Sequence, residues 1–304
     1  MIKNENRTAI IIALLAVYLS WGSTYLVIRI ALEELPPFFM MGIRFFIVGI
    51  GLYLFLRLRG APNPPAVEWR NATMIGTLLF LGGSAFVAYA EQWVASGLAA
   101  LVIATTPLWT VLFAGIWDEW PTRSEWAGLA LGLVGIVLLN FEGDLQASPL
   151  GAAALFVAAA SWAFGSAWSR RLSLPKGQMT GAIQMITGGA IVLIVGFLIG
   201  ERVTAIPSWR SIGAVVYLAV FGSLVGFTAY MYLLVRVRPS LATSYAYVNP
   251  VFAVALGVWL ADEKITSVGI TAMVIIVAGV ALVATAHRGG AKLNHEVTKA
   301  QSNS

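Results

Sequence analysis

Apolar residues fill the chain in runs of about twenty, the length of one bilayer-crossing helix, and polar residues gather in short strips between the runs. Breaking the runs at proline, glycine and charge predicts ten helices, over about 9–31, 38–57, 71–90, 97–117, 126–141, 149–170, 178–200, 211–235, 242–260 and 266–286. Prolines mark five of the connections, at Pro36-Pro37, Pro62 to Pro65, Pro121, Pro175 and Pro207. The fifth helix is the shortest, and no connection is long enough to fold by itself. The first run follows Lys3 and Arg7 as a signal peptide would, but its length and the lack of a small-residue cleavage site keep it as an uncleaved helix.

The pattern also recurs. Phe86-Val87-Ala88-Tyr89 returns 141 positions later as Phe227-Thr228-Ala229-Tyr230, and Ser20-Trp21 with Arg29 returns at the same offset as Ser161-Trp162 with Arg170. Pro107 returns as Pro250 at offset 143, and Asp118-Glu119 as Asp262-Glu263 at offset 144. The chain is therefore expected to divide into a five-helix repeat over 1–145, a second over 146–287, and a disordered cytoplasmic tail over 288–304. Five crossings is an odd number, so the second copy enters the membrane from the other side. The expected fold class is an all-α polytopic membrane protein, ten transmembrane helices in two inverted five-helix repeats. Inverted repeats are the usual build of secondary carriers, with the substrate near the midplane where the halves meet.

Composition agrees, since 59% of residues are hydrophobic and only 11% charged, far from the range of soluble domains. The net charge of +5 comes from basic residues scattered singly or in pairs between apolar runs, which excludes a nucleic-acid reading and gives a topology instead. With the N-terminus inside, fourteen of the nineteen Lys and Arg fall in inner segments, so both termini are expected in the cytoplasm of a multi-pass inner-membrane protein. There is no cysteine, hence no disulfide framework. No phosphate-binding G-x-x-x-x-G-K-[ST] loop is present, and the two histidines, His287 and His295, lie at or beyond the last helix. The expectation is no enzyme, no cofactor and no metal.

Candidate site residues come from the middle of the helices. Trp21, Trp109 and Trp162 lie too deep for the interfacial aromatic belt, and Trp21 and Trp162 are repeat mates. Trp21 shares a helix face with Tyr25, Trp109 with Thr105 beside Thr106, and Tyr245 with Asn249. The proposed substrate-binding set is Trp21, Tyr25, Thr106, Trp109, Trp162, Tyr245 and Asn249, an aromatic and weakly polar wall, with helix packing as the competing reading. Gating falls to the mates Tyr89 and Tyr230 and to the mid-helix kinks at Pro107 and Pro250. Arg44 and Glu91 are buried charges on one side of the membrane, expected to form an ion pair or to serve substrate binding or proton coupling. For Arg29, a local pair with Glu33 one turn away or snorkelling is expected in place of a site role.

Trp21-Gly22-Ser23-Thr24-Tyr25, the Pro36-Pro37 turn, Gly42-Ile43-Arg44-Phe45 and the proline-centred fourth and ninth helices resemble the EamA family of the drug/metabolite transporter superfamily over nearly the whole chain. The resemblance implies a five-plus-five inverted repeat and export of small metabolites, with amino-acid exporters of the YddG type the best-known branch. The first-helix motif also resembles a branch of metabolite and drug permeases. The expected function is a secondary carrier exporting small amphipathic metabolites, amino acids with aromatic or hydrophobic side chains favoured, by alternating access. The alternatives are a multidrug or other metabolite exporter and, from another class, a structural or signalling membrane protein without flux. The expected partners are a small-molecule substrate and the lipid bilayer, with no nucleic acid. Close packing at Gly128, Gly132 and Gly135 leaves the oligomer open between monomer and homodimer.

Overall fold

The computed structural model describes residues 4–116, 120, 122–139, 148–236, 245–261, 264–279 and 281–282, and every regular element among them is a helix. The helices are α1 (Asn4–Leu32), α2 (Pro37–Leu58), α3 (Ala66–Ala90), α4 (Ser96–Ile103), α5 (Thr106–Ala114) and α6 (Arg123–Leu139). They are followed by α7 (Pro149–Ser169), α8 (Gln178–Leu198), the long α9 (Trp209–Tyr217, Leu218–Val225 and Gly226–Arg236 in succession), α10 (Tyr245–Ala261) and α11 (Ser267–Gly279). Six of them, α1, α2, α3, α7, α8 and α9, are long and apolar enough to cross a bilayer, and shorter apolar stretches lie in the others. The protein is thus an all-helical polytopic membrane protein. Residues 140–141, 242–244, 283–286 and the tail over 288–304, all named in the sequence expectations, lie outside the described residues.

One expected helix is two. The span foreseen over 97–117 stops at Ile103 and restarts at Thr106, which puts Pro107 in the first turn of α5. Proline suits that position because its missing N–H would have no intrahelical partner there. The kink expected at Pro107 is therefore a break, whereas Pro250 does sit inside α10.

The backbone of α2 meets that of α8. A Cβ at Gly49 would stand 2.6 Å from the Ile186 nitrogen, and one at Gly189 would stand 2.6 Å from the Phe46 nitrogen. Gly42 faces Leu193 and Gly196 faces Phe38, so the two helices run antiparallel along a stripe of glycines spaced seven apart on each. Lipid tails are as apolar as leucine, so helices in a bilayer associate through such close fits rather than through a hydrophobic gain.

Two segments wind as π-helix, Thr77–Ala85 within α3 and Leu218–Val225 within α9. Their starts are 141 residues apart, the offset of the sequence echo. Long π stretches are rare and concentrate at functional sites, because their wider turns release backbone carbonyls. Here each released segment is claimed from across the chain: the Trp21 indole N–H donates to the Gly222 carbonyl at 3.0 Å, and the Ser161 hydroxyl donates to the Leu78 carbonyl at 2.9 Å.

At one end of the bundle the α1–α2 turn is tied to the segment leading into α9. Glu33 pairs with Arg210 at 2.7 Å, because this turn lies against the start of α9. Glu34 accepts from the Ser208 backbone N–H at 2.6 Å, and Glu201 accepts from the N–H groups of Phe38 and Phe39, whose helix end carries the positive dipole. The Ser208 N–H, with the Ser211 and Ser208 side chains and Arg210, holds the Glu34 carboxyl below its ordinary pKa.

Two outcomes follow. Gly49→Ala is expected to cost about 1–3 kcal/mol by overpacking, while Gly51→Ala, whose Cβ meets nothing within 4 Å, is neutral or gains up to about 1 kcal/mol; thermal unfolding in detergent compares them. The Glu34 contribution is complete above about pH 4.3 and is lost as pH falls through its lowered native value. Glu34→Gln therefore flattens the acid side of a plot of Tm against pH.

Candidate functional site: a central aromatic cavity

A cavity of about 150 Å³ opens where the long helices converge. From the N-terminal helices it is lined by Trp21, Thr24 and Tyr25 of α1, Met41, Arg44 and Phe45 of α2, Phe80, Gly83 and Ser84 of the first π segment, and Thr106 and Pro107 of α5. From the C-terminal helices come Trp162, Met185, Gly222, Ser223, Phe227, Tyr245, Asn249 and Pro250, among others. Nine of the residues named from sequence thus meet in one place: Trp21, Tyr25, Arg44, Thr106, Pro107, Trp162, Tyr245, Asn249 and Pro250.

Trp21 is fixed on three sides. Its ring meets Tyr245 edge-on at 4.7 Å and 88°, and Tyr230 at 5.2 Å, while Tyr230 and Tyr245 meet each other at 5.6 Å and 89°. Edge-to-face rings at these separations attract through their quadrupoles beyond simple burial. Gly226 clears room for the indole, since a Cβ there would stand 2.5 Å from the Trp21 Nε1. Trp162 has a similar seat, its Cε3 lying 2.9 Å from where a Gly83 Cβ would be. Trp21 and Trp162 therefore each rest on a glycine in or beside a π segment contributed by the other part of the chain.

Arg44 is only 6% exposed. Its Nε donates to the Ser223 hydroxyl at 2.8 Å, its Nη1 lies 3.6 Å from the Met41 sulfur, and its carbon sits 4.8 Å from the Phe45 ring centre. The expected ion pair with Glu91 is not formed: Glu91 is buried just past α3, outside the cavity lining, while the guanidinium turns toward α9. The reason is steric, because Gly222 leaves space that a Cβ would close at 2.5 Å from the Arg44 Nη2. Asn249, also 6% exposed, is a lining residue, and its buried Oδ1 receives no hydrogen bond.

Trp109 is also displaced from its expected place. It stacks on Phe113 at 6.2 Å and 26°, and Phe113 meets Phe164 of α7, so the indole belongs to a packing ladder and not to the lining. The Trp109 N–H still bonds to the Thr105 carbonyl at 3.3 Å, so the two keep one helix face, and that face lies outside the cavity lining. Thr106 does reach the cavity, with its hydroxyl donating to the Ile103 carbonyl at 2.6 Å across the break. Of the gating candidates, Tyr89 packs with Phe38 at 5.8 Å and Trp93 at 5.0 Å, away from the cavity, and Tyr230 backs Trp21 beside the N-terminal half of α1. Sequence reasoning missed Thr24, Met41, Phe80, Ser84 and the Gly222-Ser223 pair. A signal existed for part of this set: Gly83-Ser84 and Gly222-Ser223 are both Gly-Ser pairs in the middle of apolar runs. Among the described residues no group of three or more His, Cys, Asp or Glu could hold a metal ion.

A helical bundle with a walled cavity shared between its N- and C-terminal helices is the build of a membrane transporter. The chain belongs to the EamA-like transporter family, which matches residues 8–141 and again 149–285. It is similar to a protein named uncharacterized inner membrane transporter YedA of Escherichia coli (strain K12), 47% identical over 272 residues that cover 89% of each chain. It also resembles a protein named probable amino-acid metabolite efflux pump of Salmonella typhimurium (strain LT2), 25% identical over 280 residues, 87% of this chain and 91% of that one. A crystal structure 24% identical superposes with a TM-score of 0.65 over 92% of this chain and 99% of its own, a likeness of fold. These relatives are named as transporters, and no catalytic family is indicated.

Trp21→Phe keeps a ring in the wall but removes the donor to the Gly222 carbonyl. It is expected to lower stability by about 0.5–1.5 kcal/mol, read as a drop in Tm in detergent, whereas Trp93→Phe at the exposed end of α3 leaves Tm unchanged.

Proposed function

We propose that the protein is a secondary carrier that exports small amphipathic metabolites, first among them amino acids with aromatic or hydrophobic side chains. It works by alternating access between two inverted five-helix repeats over 1–145 and 146–287. The observation that carries this reading is a single cavity built from matched parts: Trp21 and Trp162, two π segments 141 residues apart, and Pro107 and Pro250. Inversion is supported by the antiparallel seam of α2 and α8, which are counterparts in the repeat, and by the double match to one family. The name of the Salmonella relative supports the amino-acid class, and that of the Escherichia coli relative supports the inner membrane.

With both termini in the cytoplasm, as the Lys and Arg count favours, the ties from Glu33, Glu34 and Glu201 lie at the outer end. Tyr89 then belongs to an outer gate and Tyr230 to an inner one, with the break before Pro107 and the mid-helix Pro250 as hinges. Glu91 is the candidate for a coupling proton, and Arg44 the candidate for a substrate carboxylate. Passive facilitation and proton antiport both fit the cavity.

Purified protein in liposomes is expected to release preloaded labelled phenylalanine faster than protein-free vesicles, and equal rates would sink the carrier reading. Trp21→Ala and Trp162→Ala are each expected to slow release about tenfold, the kinetic equivalent of about 1.4 kcal/mol of lost ring contact. Wild-type rates in both variants, with normal insertion, would move the path away from this cavity. An imposed pH gradient separates antiport from facilitation in the same assay.

A further inference from the structure

Among the described residues Arg44 is the one charged side chain that lines the cavity, and the neighbours it touches there bring no negative charge: a hydroxyl, a thioether and a ring face. A guanidinium carries five N–H donors. Ser223 takes one at 2.8 Å, and the Met41 sulfur at 3.6 Å is a weak acceptor for another. The Nη2 side faces the notch left by Gly222. A cation buried this deeply without a counter-anion is costly, and the group whose geometry matches its planar fork is a carboxylate.

The second observation is independent of the first. The Asn249 Oδ1 is a buried acceptor with no donor from the protein, and leaving such an atom unmet is unfavourable. Asn249 lines the same cavity as Arg44, so one small molecule there can meet both residues, its carboxylate at Arg44 and an adjacent donor at Asn249.

We infer that the cavity selects 2-substituted carboxylates through Arg44 and Asn249, reading a hydrogen-bond donor beside the carboxylate rather than the charge of an ammonium group. This deepens the carrier reading and rests on it for the cavity's role. With no lining carboxylate among the described residues to balance an ammonium, a 2-hydroxyl satisfies Asn249 as well as a 2-amino group does. The faces of Trp21 and Tyr245 favour an ammonium only modestly. Two-hydroxy acids with apolar side chains are thus substrates alongside amino acids, and amines without a carboxylate are not.

The test titrates the intrinsic tryptophan fluorescence of the purified full chain with four phenyl compounds, then uses each as a competitor of labelled phenylalanine release from liposomes. Phenyllactate is expected to bind within about fivefold of phenylalanine, phenylpyruvate about tenfold more weakly for want of the donor, and phenethylamine not at all. Asn249→Ala is expected to erase the difference between phenyllactate and phenylpyruvate, and Arg44→Lys to weaken every carboxylate while the protein stays monodisperse. Phenethylamine binding as tightly as phenylalanine, an unchanged hydroxyl-to-oxo ratio in Asn249→Ala, or no response to any carboxylate would overturn the inference. If carboxylates bind in this order but nothing crosses the membrane, the carrier reading fails and the selectivity stands. If amines cross and carboxylates do not compete, the reverse holds.

Discussion

Main chain touches main chain where α2 crosses α8, and the rest of the architecture is arranged around that approach. Gly42 and Gly49 on one helix and Gly189 and Gly196 on the other bring the two backbones closer than any side chain would allow. Within a bilayer this is a source of adhesion that does not rely on water being excluded. The seam also aims the chemistry. Arg44 is two residues past Gly42, roughly 200° round the helix, so when the glycine stripe faces α8 the guanidinium is turned away from it, toward Ser223 of α9.

The two π segments solve a related problem. A wide turn exposes carbonyls that hydrocarbon cannot satisfy, and each such group left alone costs several kcal/mol. The side chains of Trp21 and Ser161 supply the donors, each from a helix in the other part of the chain. Wall and backbone are thereby joined: the rings that shape the cavity also complete the hydrogen bonding of the helices behind it. Glycine recurs at these points, at Gly82, Gly83, Gly222 and Gly226, because a Cβ at any of them would collide with Ser161, Trp162, Arg44 or Trp21.

Much of this was legible in the chain. Apolar runs bounded by proline and charge placed α2, α7 and α8 within a residue or two of where they lie, since length and hydrophobicity are the quantities a bilayer selects. Nine of the residues named from sequence line one cavity, and mid-membrane tryptophan, asparagine and arginine were named because each needs a reason to be there. The π turns were not legible: a uniformly apolar run carries no period that separates 3.6 residues per turn from a wider winding. Trp109 lies outside the lining because the face it shares with Thr105 is turned away from the cavity, a direction that a uniformly apolar run does not encode. The partner of Arg44 was sought among carboxylates. The fold offered it a hydroxyl from a segment 179 residues away, a contact that no local pattern encodes.

Arg44 apart, several donors in the cavity wall are already engaged, and the consequence is one of wetting. The Trp21 N–H is given to the Gly222 carbonyl, the Thr24 hydroxyl to the Trp21 carbonyl and the Thr106 hydroxyl to the Ile103 carbonyl. What these residues present to the interior is ring face, methyl and lone pair. Water held against such a surface finds few groups to bond, so its layer is easily displaced. An entering molecule with an apolar body then sheds its own hydration against a wall that has little to lose in return.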